Sequence, residues 1–272
     1  MAQVGIITKY SFTEYFRSRR FLILLVIGLL IGALLTIVVS WKRPATFLDN
    51  GSLGFYSSWW GMTATLVVIL SGVFFGGDAI SAEFQNKTGY FTVPNPIRRS
   101  SIYVGKWLAA FLASSLILLI FTVITVLNNV YYFGANMPDQ FLQSVLFCWI
   151  YLAAVLGFTF MFSSLFKSSS YSILVSLVLF LFAFTIIQDV VAALVGIEPW
   201  FIVTYGSGII GDILMSQYPA HMTSTTSIGP RGAHFTLTSF NPTVPEGLAI
   251  LGGYFIVTSL LGLLLFERKE FN

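Results

Sequence analysis

DAISAEFQNKTGYFTVPNPIRRSSIYVGK, residues 78–106, is a charged island in an otherwise apolar chain. It carries six of the 25 charged residues: Asp78, Glu83, Lys87, Arg98, Arg99 and Lys106. Hydrophobic runs long enough to cross a bilayer lie on both sides of it. A polar stretch with internal order, held between two such runs, reads as a docking surface more readily than as a spacer.

The chain of 272 residues is 56% hydrophobic and 9% charged, with a mean hydropathy of +0.85. Soluble domains carry nearer a quarter charged residues, so this is an integral membrane protein with little room for a soluble domain. A net charge of +3 would suggest nucleic acid in a soluble chain. Here the basic residues flank apolar runs and act as topology signals. The single cysteine, Cys148, excludes an intramolecular disulfide framework and reads as a small packed hydrophobe.

Six stretches reach the length a bilayer demands: 21–40, 57–77, 107–128, 141–166, 171–196 and 247–266. Lipid cannot satisfy loose backbone groups, so the runs are expected to be helices; the alternation of a β-barrel is absent. One side of the resulting bundle carries eleven basic residues: Lys9, Arg17, Arg19, Arg20, Lys87, Arg98, Arg99, Lys106, Lys167, Arg268 and Lys269. The other carries Lys42, Arg43 and Arg231. The positive-inside tendency then puts both termini and residues 78–106 in the cytoplasm, and 197–246 outside. Residues 1–20 mix aromatics with basic groups. They suit either an amphipathic segment in the headgroup region or an ordinary basic flank. The first apolar run lacks a small-x-small cleavage site and is longer than a signal core, so a retained helix is expected.

Sites of chemistry are scarce. Gly206-Ser207-Gly208-Ile209-Ile210-Gly211 fits G-x-G-x-x-G, yet no β-α-β unit surrounds it. Its glycines read as backbone permissiveness in a short re-entrant or surface segment. A phosphate-binding G-x-x-x-x-G-K-[ST] is missing, because Ser100 stands at the glycine position before Gly105-Lys106 and Trp107 follows. His221 and His234 lie in the outer stretch without a cysteine nearby and read as polar surface rather than metal ligands. Asn86-Lys87-Thr88 is a glycosylation sequon on the side away from the modifying machinery. Asp189, in the fifth run, either faces a polar interior or is shallow enough to reach headgroups; a structural or pathway-lining role near the outer leaflet is expected. Gly28-x-x-x-Gly32 and Gly72-x-x-x-Gly76 place small residues one turn apart for close helix packing.

Within the charged island, Ser81 is positioned to cap a short helix with Glu83 near its start. Gly89 offers a stop, and Pro94 and Pro96 impose extended backbone. On these grounds alone, a rigid docking helix and a solvated loop are both open. The order Ser81-x-Glu83, Lys87-Thr88-Gly89, Pro96, Arg98-Arg99, Gly105-Lys106 resembles the loop between the second and third helices of type-2 ABC transporter permeases. Thr88-Gly89 departs from the Gly-Thr order of many members. The likeness extends over the basic N-terminus, the six spans and the long segment before the last helix.

The resemblance implies an all-α membrane protein in one transmembrane domain, 1–272. Its parts would be an amphipathic N-terminal segment (1–20), a cytoplasmic coupling loop (78–106) and an external segment (197–246) with short helices before helix 6. It also implies a permease without an ATPase site of its own. A second permease copy and two ABC ATP-binding subunits would be its partners, with ATP and Mg on those subunits, usually for export. Glu83, Phe84, Gln85, Asn86, Lys87, Thr88 and Gly89 would form the ATPase contact. Arg17, Arg19, Arg20, Arg98 and Arg99 would touch headgroups or the partner. The Ser/Thr-rich stretch 221–240 is left as a lid, a docking site or a solvated loop. A channel or secondary carrier is the competing function, although no internal repeat supports it. An intramembrane enzyme would need paired carboxylates or metal ligands at membrane depth, which the sequence does not display.

Overall fold

The structure is a computed structural model that describes residues 2–42, 51–86, 98–228 and 234–269. Helix α1 (Ala2–Arg17) meets α2 (Arg19–Lys42) at a bend on Ser18, whose Oγ accepts the Phe21 N–H at 3.2 Å. That hydroxyl satisfies one of the free N–H groups at the start of α2. Then come α3 (Gly51–Gly76), the short α4 (Ser81–Gln85), α5 (Arg99–Phe133) and α6 (Asp139–Leu165). Helix α7 (Ser169–Val195) contains two π-helical turns, Leu179–Ala183 and Val191–Val195. Two short helices follow, α8 (Val203–Ser207) and α9 (Ile209–Asp212), then an antiparallel hairpin of β1 (Met222–Ile228) and β2 (His234–Phe240), and finally α10 (Val244–Arg268). The hairpin register runs from Met222 opposite Phe240 to Ile228 opposite His234.

Six segments are long and apolar enough to cross a membrane, among the described residues: Arg19–Trp41, Gly51–Gln85, Arg99–Phe133, Asp139–Leu165, Ser169–Val195 and Val244–Arg268. They match the six expected spans, two of which (141–166 and 171–196) run one residue past the observed end, and the chain is a mostly helical, multi-pass membrane protein. The ends differ from expectation. At 1.5 Å per residue, 35-residue α5 is about 50 Å long, well beyond the roughly 30 Å hydrocarbon core. Residues Arg99–Lys106, expected in the loop, therefore form its first two turns. The extended Arg98 precedes them.

Helices α3 and α6 are the centre of the bundle. A Cβ on Gly72 would lie 2.7 Å from Val155 Cγ1, and one on Gly76 would collide with the Thr159 hydroxyl. Gly32 is similarly tight against Ile124, at 2.7 Å, whereas Gly28 has nothing within 4 Å of a Cβ position. The packing expected of the two glycine pairs thus holds for three of the four residues. The most apolar stretch of the second span is 72% buried, against 28%, 11% and 17% for the first, fifth and sixth. Those three present Leu30, Leu34, Leu174, Ile186, Val257 and Leu260 outward, an apolar surface suited to lipid or to another apolar helix. Cys148 is fully buried in the core, as expected.

Candidate functional site

The short helix α4 is held by polar bonds from three helices and by a ring contact from a fourth. Ser163 Oγ, on α6, accepts the backbone N–H groups of Ile80 and Ser81, both at 2.9 Å. Both donors are at the helix start, where no intrahelical acceptor exists. Lys106 Nζ, on α5, donates to Ala79 O at 2.8 Å and to Glu83 Oε1 at 2.6 Å. Both side chains of that pair are largely buried, 14% and 15% exposed, so water screens it little. Gln85 Oε1 accepts the N–H of Ser169 at 2.8 Å and so ties α4 to the first turn of α7. Phe84 packs edge-on against Phe266 at 6.5 Å, and Lys269 Nζ sits 4.2 Å from its ring centroid.

Ser81 is not the cap expected from sequence. It is the first residue of the helix, and its Oγ donates back to Gly77 O at 3.2 Å. The capping work is done across space by Ser163, which no local pattern reveals. The helix ends at Gln85 with Asn86 as its C-cap, before Gly89 is reached. Lys87, Thr88 and Gly89, with Pro94 and Pro96, lie outside the described residues, as do Arg43 and Arg231.

Of the expected contact residues, Glu83 and Phe84 are turned toward the bundle, while Gln85 and Asn86 are exposed. The arginines divide in the same way. Arg20 pairs with buried Asp78 at the start of the connector, and Arg99 donates to the carbonyls of Glu267 (2.8 Å) and Lys269 (2.9 Å) at the end of α10. Arg17, Arg19 and Arg98 are exposed. Lys269 in turn donates to Ser164 O and Phe166 O, each at 2.8 Å, at the end of α6. Burial, then the nearby Lys167, push its ammonium down to about 8. Charged groups at this end therefore cap the free carbonyls of neighbouring helices.

At the opposite end, α8 and α9 are buried against α3, α6 and α10 rather than lying on the surface. Ile209, Ile210 and Leu214 are fully buried, and Trp60 Nε1 donates to Ser144 Oγ (3.0 Å), which donates to Ile210 O (2.6 Å). A Cβ on Gly61 would lie 2.9 Å from Gly211 Cα, and one on Gly206 would lie 2.9 Å from Ile250 Cγ2. The glycines at 206–211 serve close packing, since none has positive φ; the permissiveness expected of them is not what they supply.

The Ser/Thr-rich stretch is a β-hairpin, not a loop. Its Thr-rich strands suit a pleated, half-wet surface, and β2 packs on the last π turn of α7. Asp189 is exposed beside it, in a groove of about 300 Å³ that Gln188, Thr223, Thr225 and Ser239 help to line. His221, at the hairpin base, comes together with Glu198 and Glu246, their ligand atoms all within 4.8 Å of one another. Sequence reading missed this cluster. Its one local signal is the T-x-x-E box at Thr243–Glu246, whose reciprocal capping bonds are formed.

Six apolar spans, two of them linked through a short, charge-locked helix, define a multi-pass membrane protein. Residues 6–271 match the model of the ABC-2 family transporter proteins, and the chain belongs to that family. It is thus a permease subunit of an ABC transporter, the membrane-spanning component and not the nucleotide-hydrolysing one. No curated protein is similar enough to the chain to count as a match.

Proposed function

We propose that α4 is the coupling helix through which separate ABC ATP-binding subunits drive this permease, with the charged end of the bundle in the cytoplasm. The observation that carries this reading is the anchoring of α4. Polar bonds from α5, α6 and α7 hold one small helix, so a push on it reaches three spans. Glu83 and Phe84 anchor the helix to the bundle. Gln85 and Asn86, followed by Lys87, Thr88 and Gly89, meet the partner.

Two permease copies and two ATP-binding subunits form the working assembly, with ATP and Mg bound by the latter. The weakly buried first, fifth and sixth spans offer apolar surface for the second copy and for lipid. Nucleotide binding then shifts the dimer between inward-open and outward-open states, in the direction of export. Arg17, Arg19 and Arg98 meet headgroups at the cytoplasmic face, and Asp189 lines the outer end of the pathway. The whole chain, 1–272, acts as one transmembrane domain.

The test replaces residues 86–89 with alanine and leaves the bonds of Glu83, Phe84 and Gln85 in place. Co-purification with its ABC ATP-binding subunit, to be sought first among the adjacent genes, is expected to weaken at least about tenfold, while the thermal midpoint of the permease alone hardly moves. Unchanged assembly and unchanged transport-stimulated ATP hydrolysis would overturn residues 86–89 as the partner contact, and failure of the parent chain to capture any ATP-binding subunit would favour a channel or secondary carrier working without an ATPase.

A further inference from the structure

The cluster of Glu198, His221 and Glu246 brings together three separate parts of the chain: the end of α7, the base of the hairpin and the first turn of α10. Each side chain is already oriented by another group. His221 Nδ1 lies 3.0 Å from Asn241 O, a carbonyl that can only accept, so Nδ1 carries a proton and Nε2 is the ring nitrogen left to bind a cation. Glu198 Oε1 accepts the Tyr205 hydroxyl at 2.9 Å, which leaves Oε2 free. Glu246 Oε2 takes the Thr243 N–H at 2.8 Å within its capping box.

The consequence is a ring nitrogen set opposite a carboxylate oxygen across a narrow gap. His221 Nε2 faces Glu198 Oε2 at 3.6 Å, while Glu246 Oε2 lies 3.8 Å from Nδ1, and one ligand atom of each of the three residues lies within 4.8 Å of the others. A positive centre satisfies both atoms, either a proton on Nε2 or a bound cation. Ligands bound to zinc tetrahedrally at about 2.0–2.1 Å stand about 3.3–3.4 Å apart, close to the observed gap. The ring's other nitrogen on a backbone carbonyl is also the usual outer support of a metal-bound histidine.

We propose that Glu198, His221 and Glu246 form a binding site for a first-row divalent cation, with Zn2+ the best-matched ion. One imidazole and two carboxylates select such an ion over Mg2+ or Ca2+, which prefer all-oxygen sets. Partial exposure of His221 and Glu246, 42% and 40%, leaves an entry path and a coordination position for water. A cation there staples the hairpin to the ends of the last two spans. The site is independent of whether an ATPase drives the permease.

Equilibrium dialysis of the purified full chain against Zn2+ in detergent tests it, with His234, the other histidine of the chain, as internal control. One Zn2+ per chain is expected, with His234→Ala within about twofold of the parent and His221→Ala weaker by at least about tenfold. Tyr205→Phe, which removes only the outer hydrogen bond, is expected to weaken binding about tenfold. Glu198→Gln supplies a same-shape ligand loss should His221→Ala fail to fold. No stoichiometric uptake by the parent overturns the site and leaves a shared proton to fill the gap. Equal losses in His221→Ala and His234→Ala, or no loss in His221→Ala and Glu198→Gln, overturn it as well.

Discussion

At the connector end of the bundle, Lys106, Arg20, Arg99 and Lys269 each place a charge on a carboxylate or on helix-end carbonyls of another segment. At the hairpin end, outside the Glu198–His221–Glu246 cluster, the corresponding bonds come from indole, hydroxyl and phenol groups: Trp60 to Ser144, Ser144 to Ile210, and Tyr218 to Pro242. Both ends hold short helices between spans, but they do so with different strengths and different dependence on solvent. Charge-assisted bonds are about twice as strong as neutral ones and keep a fixed geometry under load. Neutral hydroxyl bonds and close glycine contacts hold shape through packing. A charge-locked end suits the transmission of force, and a neutral, tightly packed end suits a seal around a pathway.

The sharpest way to break this contrast is at Lys106. Lys106→Met keeps the stem but removes the cation 2.6 Å from the largely buried Glu83 carboxylate. A loss of about 3–5 kcal/mol is expected, the range for breaking a buried pair from one side. Thermal unfolding in detergent measures it. The double variant Lys106→Met with Glu83→Gln should regain a good part of the loss, because no buried charge then remains. A double variant as unstable as the single one would assign the role of Lys106 to its bond with Ala79 O instead.

A smaller effect of opposite sign is expected at the other end. Asp212, on α9, is buried, and that burial pushes its carboxyl up to about 6. A raised carboxyl means that the folded chain binds more protons than the unfolded one between about pH 4 and pH 6. Stability should therefore fall as pH rises through that window, and the full penalty applies above it. Asp212→Asn is expected to stabilise by about 1–2 kcal/mol at pH 7, with the gain vanishing below about pH 4. Melting curves of both proteins across this range check the sign. A gain that is constant with pH would show that packing, not charge, limits this end.

What could be read from the chain follows the same division. The centres of the six spans were legible because a run of some 20 apolar residues admits one explanation. Their ends were not, since Arg99–Lys106 is polar and still helical, and only length beyond the bilayer explains it. The position of the short helix was legible from Glu83 and the later prolines, but its cap was not. Ser163 supplies that cap from 82 positions away. The hairpin had a signal in two Thr-rich runs around Gly-Pro-Arg-Gly, which composition alone disguised as a loop. Glu198, His221 and Glu246 are 23 and 25 positions apart, and only the hairpin fold brings them together.

The smallest expected effect separates the two uses of Glu246. Its side chain both closes the capping box at the start of α10 and joins the His221 cluster. Thr243→Ala removes one half of the box and leaves the carboxylate in place, with an expected cost of about 1 kcal/mol. Glu246→Gln keeps an acceptor for the Thr243 N–H but removes the charge facing His221. If the hairpin end is held by neutral bonds alone, the glutamine variant should melt within about 0.5 kcal/mol of the parent, as surface changes usually do. A larger loss in Glu246→Gln than in Thr243→Ala, seen only with Zn2+ present, would place a charge-dependent lock at this end too. The contrast between the two ends would then hold only for the metal-free chain.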